Sequence, residues 1–516
     1  MRRPVGRGGG ASVAVGRVGS SAGAVRRADR AGAPRSSGMR RVRRTAGLLL
    51  VAALVGTCGA TFPDRGGPGW ASPGLVGGGG WPFAGVPVPP EAAEGASYFP
   101  GSSVLRLKDG RVRLVPFGTD TAITVPASDP RVEQAVLSDA RWLAEGRVPD
   151  GGKAVPPGSR RTYREMAERA LLDLRLLTRP NGASQASWYG AWRYTWPRDS
   201  AFTAAAFALT GHRAEARRIL RFLAGVQEPD GRWAARYHTD GTAVTDGREA
   251  QLDSLGWVLW AAWLFHTQAA GEPDETPELW PMVARAADHL AGSLDAEGLP
   301  PPSADYWERA PDTEEDPRRP TLGVVGPVLA GLRSAAALAQ ATGRDAEAAE
   351  WGRAALRVAE AVERQFTPHG YPRSPVRGGL MDTSVTFVAP PFAPPDPRVD
   401  AAVAQALART RLPNGGVLPG ERWAGNPHVA WTPEMAMFAL AAANAGRTAE
   451  AVSHLDWLAA HRTSLGVLSE KVDEKGEPVS VAPLGWTASI VLLAVTALER
   501  PLPIPPTAPA PAVRSS

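Results

Sequence analysis

From about residue 130 the chain is written as a series of apolar-periodic segments separated by loops rich in Gly, Pro and Trp. Ala, Leu and Arg recur in these segments at the spacing of one helix face, about 3.6 residues per turn, rather than alternating as in a strand. The pattern predicts helices over 130–145, 160–178, 199–210, 213–227, 250–268, 278–293, 323–342, 345–366, 397–409, 433–445, 447–461 and 485–498. An open solenoid would stamp a fixed repeat of roughly 34 or 40 residues on such a chain, and none is present. About twelve helices in pairs, with the unusual residues gathered in the loops between them, predict an all-α closed toroid over residues 129–500.

Upstream the character changes. Residues 96–128 mix Val, Leu and Ile with turns such as Lys108-Asp109-Gly110, which predicts two or three short strands. Residues 59–95 are Gly/Pro-rich without periodicity and read as a tether. Residues 1–58 read as a leader. Arg40, Arg41, Arg43 and Arg44 precede an apolar run, Ala46 to Val55, that is too short to span a membrane and has the shape of a signal peptide. Cys58 follows Leu54-Val55-Gly56-Thr57, which resembles a bacterial lipobox; the alternative is a plain cleavage site with a chance Cys nearby. The expectation is an exported protein, extracellular or lipid-anchored through Cys58 to the outer face of the cytoplasmic membrane. Translation from Met1 or from Met39 fits equally. Residues 501–516 form a Pro/Ala-rich tail, expected to be disordered.

The leader also explains the charge. The whole chain carries +5, yet residues 1–57 hold twelve Arg and one acid, Asp29, so the remainder has a net charge of −6. An acidic mature chain argues against nucleic acid as a partner. A single Cys excludes a disulfide framework and a Cys-based zinc site, and the eight His lack metal-ligand spacing. There is no P-loop, dinucleotide fingerprint, HExxH or GxSxG. No metal or organic cofactor is implied.

Four loop stretches carry chemistry. Trp188 to Ser200 packs five aromatics into thirteen residues and ends in Arg198-Asp199 before a helix. Indoles stack on the C–H faces of sugars, and a charged pair binds the hydroxyl rim. Taken alone, Asp199 is also a helix cap for the segment from Ala201. Asp305-Tyr306-Trp307-Glu308-Arg309 sets a Glu beside a Trp, the setting of a general acid. Leu468-Ser469-Glu470-Lys471-Val472-Asp473 supplies a second carboxylate. Arg248 to Asp253 offers polar residues for a cleft mouth, ahead of a segment whose Trp257 and Trp260 have core spacing.

Together these stretches resemble glycoside hydrolase family 15, the glucoamylase-like enzymes, over about residues 160–498. YTWPRDS, Tyr194 to Ser200, is similar to the family's aromatic-Arg-Asp segment. The resemblance implies that Arg198 and Asp199 hold the terminal glucose, with Trp192 and Trp196 beside it. DYWER resembles the general-acid loop and assigns the acid to Glu308, flanked by Trp307 and by Arg309 where the family commonly has a second acid. LSEKVD, with Pro483-Leu484-Gly485-Trp486-Thr487 after it, resembles the general-base stretch and assigns the base to Glu470, followed by Lys471 where Gln is usual. Glu421-Arg422-Trp423 resembles a sugar-contacting Arg-aromatic loop, which adds Arg422 and Trp423 as substrate-binding residues.

The family implies an (α/α)6 barrel and inverting, exo-acting hydrolysis of an α-glucosidic bond in an oligo- or polysaccharide. Starch-, dextran- and trehalose-type substrates all remain open. A non-catalytic glucan-binding lipoprotein on the same barrel is the competing class, and retention of both carboxylates argues against it. Toroidal terpene or peptide cyclases need an Asp-rich metal box or a Cys/His zinc site, and neither is seen.

Overall fold

The inner helices of this protein are apolar all round, and that decides the architecture. A computed structural model describes residues 95–116, 122–188, 192–269, 276–309, 311 and 314–507; Cys58, the leader and most of the tether lie outside the described residues. Two helices lead in, α1 (Pro130–Glu145) and α2 (Pro157–Leu177). Four follow as two pairs, α3 (Pro197–Leu209) with α4 (Arg213–Val226) and α5 (Leu252–Thr267) with α6 (Thr276–Ser293). Next come α7 (Leu322–Ala341) and α8 (Asp345–Gln365), a short 3-10 helix at Thr383–Val388, and α9 (Pro397–Thr410). The last are α10 (Thr432–Asn444), α11 (Thr448–Ala460) and α12 (Gly485–Glu499). Several begin on Pro, whose fixed φ and missing N–H suit the first turn, and Asp129 and Asp396 cap α1 and α9 by accepting from Arg131 N and Arg398 N.

In α3 every residue is buried, and in α5, α10 and α12 all but the last one or two are. Such helices have no solvent face and must be surrounded. They form an inner ring in which α3 packs on α5, α5 on α7, α7 on the 3-10 helix, that helix on α10, α10 on α12, and α12 back on α3. The amphipathic helices α2, α4, α6, α8, α9 and α11 each cover one inner element from outside. This is an (α/α)6 barrel.

One inner position departs from the sequence expectation. Thr383–Val388 serves as an inner element, yet the spacing analysis leaves 367–396 as loop. Thr383-Ser384-Val385-Thr386-Phe387-Val388 is β-branched and too short to show helical periodicity. Its start is set by Asp382, whose side chain accepts from Ser384 N at 3.0 Å.

Small residues set the spacing of the ring. A Cβ at Gly256 on α5 would lie 2.1 Å from the Pro327 carbonyl oxygen on α7, and one at Gly331 would lie 2.5 Å from Gly256 Cα. Around this contact Trp257 and Trp260 are fully buried against Phe202 and Phe392, as their spacing suggested.

The N-terminal β segment holds four strands rather than two or three: β1 (Ser97–Tyr98), β2 (Leu105–Arg106), β3 (Val112–Leu114) and β4 (Ile123–Val125), an antiparallel meander. Val104, Val112, Leu114 and Val125 pack on Val132 and Ala135 of α1. Arg169 of α2 pins this sheet to the barrel, donating to Ser102 O at 2.9 Å and lying 4.1 Å from the Tyr98 ring. A second sheet, β5 (Ala430–Trp431), β6 (Lys471–Val472) and β7 (Pro478–Val479), has strands of two residues, too short to leave an alternation in sequence. Past α12, Leu502 is still buried, and its N–H donates to Asn444 Oδ1 at 2.9 Å.

Gly331→Ala drives a methyl into the Gly256 backbone, which no rotamer change relieves. We expect a loss of about 1–3 kcal/mol, read as a lower midpoint in urea unfolding. An unchanged midpoint would show that α5 and α7 separate freely at this contact.

Candidate active site

Chemically distinctive residues cluster at the starts of the inner elements: Arg198 and Asp199 in the first turn of α3, Asp253 in that of α5, Glu434 in that of α10, Trp486 in that of α12. The contacts between them define one site.

Glu308 stands on the loop before α7. Asp305, buried, accepts the Glu308 N–H on its carbonyl at 2.7 Å and the Trp307 N–H on Oδ1 at 2.9 Å. The turn leaves Glu308 at φ 55°, in the left-handed region that non-glycine residues seldom occupy. What holds it there is Arg373, buried beneath the loop. Its Nη1 lies 2.9 Å from Asp305 Oδ2 and 2.8 Å from Asp382 Oδ2, its Nη2 lies 2.8 Å from Glu314 Oε1, and its guanidinium lies 3.8 Å from the Trp307 ring centre. Burial opposes the Arg373 charge, but Asp305, Asp382 and Glu314 outweigh it and raise its pKa. Thr321 Oγ1 and Tyr306 OH add bonds to Asp305 Oδ2 at 2.7 Å and Asp382 Oδ2 at 2.9 Å.

Arg198 joins Glu308 to the rest. Its Nη2 lies 3.4 Å from Glu308 Oε1, while its Nη1 donates to Gln251 Oε1 at 2.9 Å and Asp253 Oδ2 at 3.2 Å. Arg248 forms a second ion pair with Glu308. Asp199 does not cap α3: the helix starts at Pro197, Trp196 takes the cap position without a side-chain cap bond, and Asp199 Oδ2 sits 3.4 Å from Arg198 Nε. Burial pushes Asp199 and Asp253 up to about 6, against the pull of Arg198.

Glu470 lies on the loop between α11 and α12. Its backbone is clamped, the N–H donating to Val481 O at 2.9 Å and the carbonyl accepting from Thr432 N at 3.0 Å. Its carboxylate accepts from Trp192 Nε1 at 3.1 Å and from Ser480 Oγ, and Lys471 Nζ lies 3.4 Å away. The negative charge of Glu470 is one of the influences that raise Asp199, so the two lie in one electrostatic field.

An aromatic wall runs from one glutamate to the other. Trp307 meets Trp423 edge-on at 5.3 Å, Trp423 meets Trp431 at 4.9 Å, and Lys471 Nζ lies 4.2 Å from the Trp431 ring. Arg309 rests 4.7 Å from the Trp423 centre. The geometry thus gathers Glu308, Glu470, Arg198, Asp199, Trp192, Trp307, Arg309 and Trp423. The other two predicted members have partners outside this set. Trp196 is buried beside Tyr194 (6.3 Å) and Arg236 (5.2 Å), and Arg422 pairs with Glu315 at 3.4 Å.

Several polar atoms here are buried without a protein hydrogen-bond partner: Arg198 Nε, Asp199 Oδ2, Trp307 Nε1, Trp486 Nε1 and Glu434 Oε2. Unsatisfied donors and acceptors among aromatic faces suit a ligand with both hydroxyls and C–H surface. A separate cavity of about 480 Å³, between α7, α8 and the start of α9, is lined by Arg333, Leu356 and Pro395 and lacks this convergence.

Arg373, Asp382, Ser480 and Glu434 are not foreseen in the sequence. Arg373 sits in a Pro-bounded loop, where nothing marks a charge as buried, and Glu434 looks like the ordinary acid of a first helical turn. In the fold Glu434 is 3% exposed, and burial, with the Glu470 charge, pushes it up to about 8.

Comparison with known proteins agrees with this architecture. The family Glycosyl hydrolases family 15 matches residues 177–389. An uncharacterised glycosyl hydrolase of Methanocaldococcus jannaschii is 24% identical over 362 residues, 64% of this chain and 55% of that protein. The chain therefore spans just over half the length of that relative. An isomaltose glucohydrolase of Kribbella flavida is 27% identical over 319 residues, 55% of this chain and 76% of its own. The solved structure of a bacterial glucoamylase complexed with acarbose superposes with a TM-score of 0.55 at 18% identity, over 74% of this chain and 64% of that one. The fold is the (α/α)6 barrel of that structure. Residues 177–389, from the end of α2 to the 3-10 helix, are the part of the chain that is similar to glycoside hydrolase family 15.

Glu434 makes a stability prediction. Folded, it keeps its proton to about pH 8; unfolded, it releases it near the ordinary 4.5. The native state therefore holds an extra proton between these values, and its stability is full below the lower one and falls as pH rises to the upper. Glu434→Gln should flatten this fall and raise the melting temperature at pH 8.5 by roughly 3 °C or more. Parallel melting curves for the two proteins from pH 4.5 to 8.5 would remove the assignment.

Proposed function

We propose that this protein is an inverting, exo-acting α-glucoside hydrolase that releases glucose, with Glu308 as general acid and Glu470 as general base. The observation that carries this is a pair of carboxylates on two different loops, one tied to Arg198, the other within the field of Asp199, with a chain of tryptophan contacts linking their loops. The match of residues 177–389 to glycoside hydrolase family 15 supports it.

In this scheme Arg198 and Asp199 bind the hydroxyls of the terminal glucose, and Trp486 lies under Arg198 at 5.4 Å. Glu308 gives its proton to the glycosidic oxygen as the bond to the anomeric carbon breaks. Water attacks from the opposite face, and Glu470 takes a proton from it, giving β-glucose and a free alcohol. Inversion needs the carboxyl groups about 6.5–9.5 Å apart to admit that water. To act as donor Glu308 must exchange Arg248 for the substrate oxygen, so substrate entry and loss of that ion pair are coupled. Trp192 and Ser480 leave Glu470 oriented as a proton acceptor. The isomaltose glucohydrolase among the relatives makes the α-1,6 linkage the first to try. The basic and apolar run before Cys58 supports an exported enzyme, lipid-anchored or released.

The test is glucose release from isomaltose, maltose, maltotriose, trehalose, dextran and starch, with the first-formed anomer read by proton NMR. We expect β-glucose from at least one sugar, with Glu308→Gln and Glu470→Gln each lowering kcat by about 100-fold or more. First-formed α-glucose would mean retention and end the two-glutamate scheme. Glucan binding without hydrolysis by the intact protein would favour a binding protein.

A further inference from the structure

The residue after Glu308 is a cation that no acid among the described residues neutralises. Arg309 lies on the aromatic wall, 4.7 Å from the Trp423 ring centre and 5.6 Å from that of Trp307. Among the described residues no carboxylate comes within ion-pair distance of it. The acids nearest in influence, Glu314 and Asp305, are already engaged by Arg373. Arg373 and Arg422 add further positive charge beside it. Arg422 Nη1 is buried without a hydrogen-bond partner among the described residues, and lies 3.4 Å from Glu315 Oε1. Burial and these like charges lower the Arg309 pKa, so an anion placed there would relieve an existing strain.

The position of this cation matters. The glucose-holding pair Arg198 and Asp199 reaches Glu308 from α3, whereas Arg309 follows Glu308 on its loop and rests against Trp307 and Trp423. With Glu308 protonating the glycosidic oxygen, the group beyond that oxygen meets the wall. The tryptophan faces hold the guanidinium plane in place, which leaves its N–H edges to form paired bonds with a carboxylate or phosphate.

We infer that Arg309 forms a cationic leaving-group subsite, and that the preferred substrates are α-glucosides whose aglycone carries an anionic group. This rests on the proposed glucosidase reaction and names its substrate class.

Two matched pairs test it. Glucosyl-α-1,4-gluconate and glucosyl-α-1,4-sorbitol, and their α-1,6 counterparts, share an open-chain aglycone and differ in the carboxylate. The readout is the ratio of kcat/KM for acid over alditol within each protein. For the wild type we expect a ratio of about 10 or more, carried mainly by KM and shrinking as salt is added. Arg309→Lys should keep part of the preference and Arg309→Met should bring the ratio near 1. Equal cleavage of acid and alditol by the wild type would overturn the subsite while leaving the glucosidase intact. Should no sugar be cleaved at all, the reaction assignment fails. Calorimetric binding of the same pairs to the wild type and Arg309→Met then decides the subsite: an Arg309-dependent preference for the acid supports it, and equal binding overturns it.

Discussion

The buried guanidinium of Arg373 is the contact on which the site depends. Three carboxylates from two loops, Asp305 and Glu314 before α7 and Asp382 before the 3-10 helix, converge on it, and one ring, Trp307, lies across its face. Each of those acids is costly to bury alone, and so is the arginine. Only together do they form a stable knot. Asp305 then fixes the turn that turns Glu308 outward, and Asp382 caps the 3-10 helix that completes the inner ring. One cation thus couples closure of the barrel to presentation of a carboxylate.

The surrounding acids are differentiated by environment. Asp199 and Asp253 are both pulled down by Arg198, yet burial dominates, while Glu434 has burial and the Glu470 charge acting in the same direction. Glu308 is the most exposed of the group, with a side chain at 21%, and Glu470 has three donors around it. The site holds several carboxyl groups close together without forcing all of them to ionise at once, the arrangement required when protons must be given on one side of a bond and taken on the other.

The helices were legible in the chain because period and punctuation agree there: Ala-rich amphipathic runs bounded by Pro and Gly. The division into inner and outer helices was not drawn from the sequence, although α5 and α12 lack a polar face while α8 and α11 have one. Thr383–Val388 was hidden because its side chains favour extended backbone and its helical form is imposed by Asp382 and the ring around it. Glu308 and Glu470 stood out by resemblance of their loops, and nothing local separates either from Glu314 or Glu477. Arg373 and Glu434 were invisible for a simpler reason. Their character comes from burial among residues distant in sequence, and no short window contains that information.

Closure of the ring by α12 has a consequence for how the protein comes into being. The helix spanning Gly485–Glu499 packs against both α2 and α3, which precede it by some three hundred residues. During synthesis those two helices emerge long before their partner exists, with an apolar flank open to solvent and to other chains. The barrel has no stopping point short of completion. Its birth is an interval of exposure that ends only when α12 has been made.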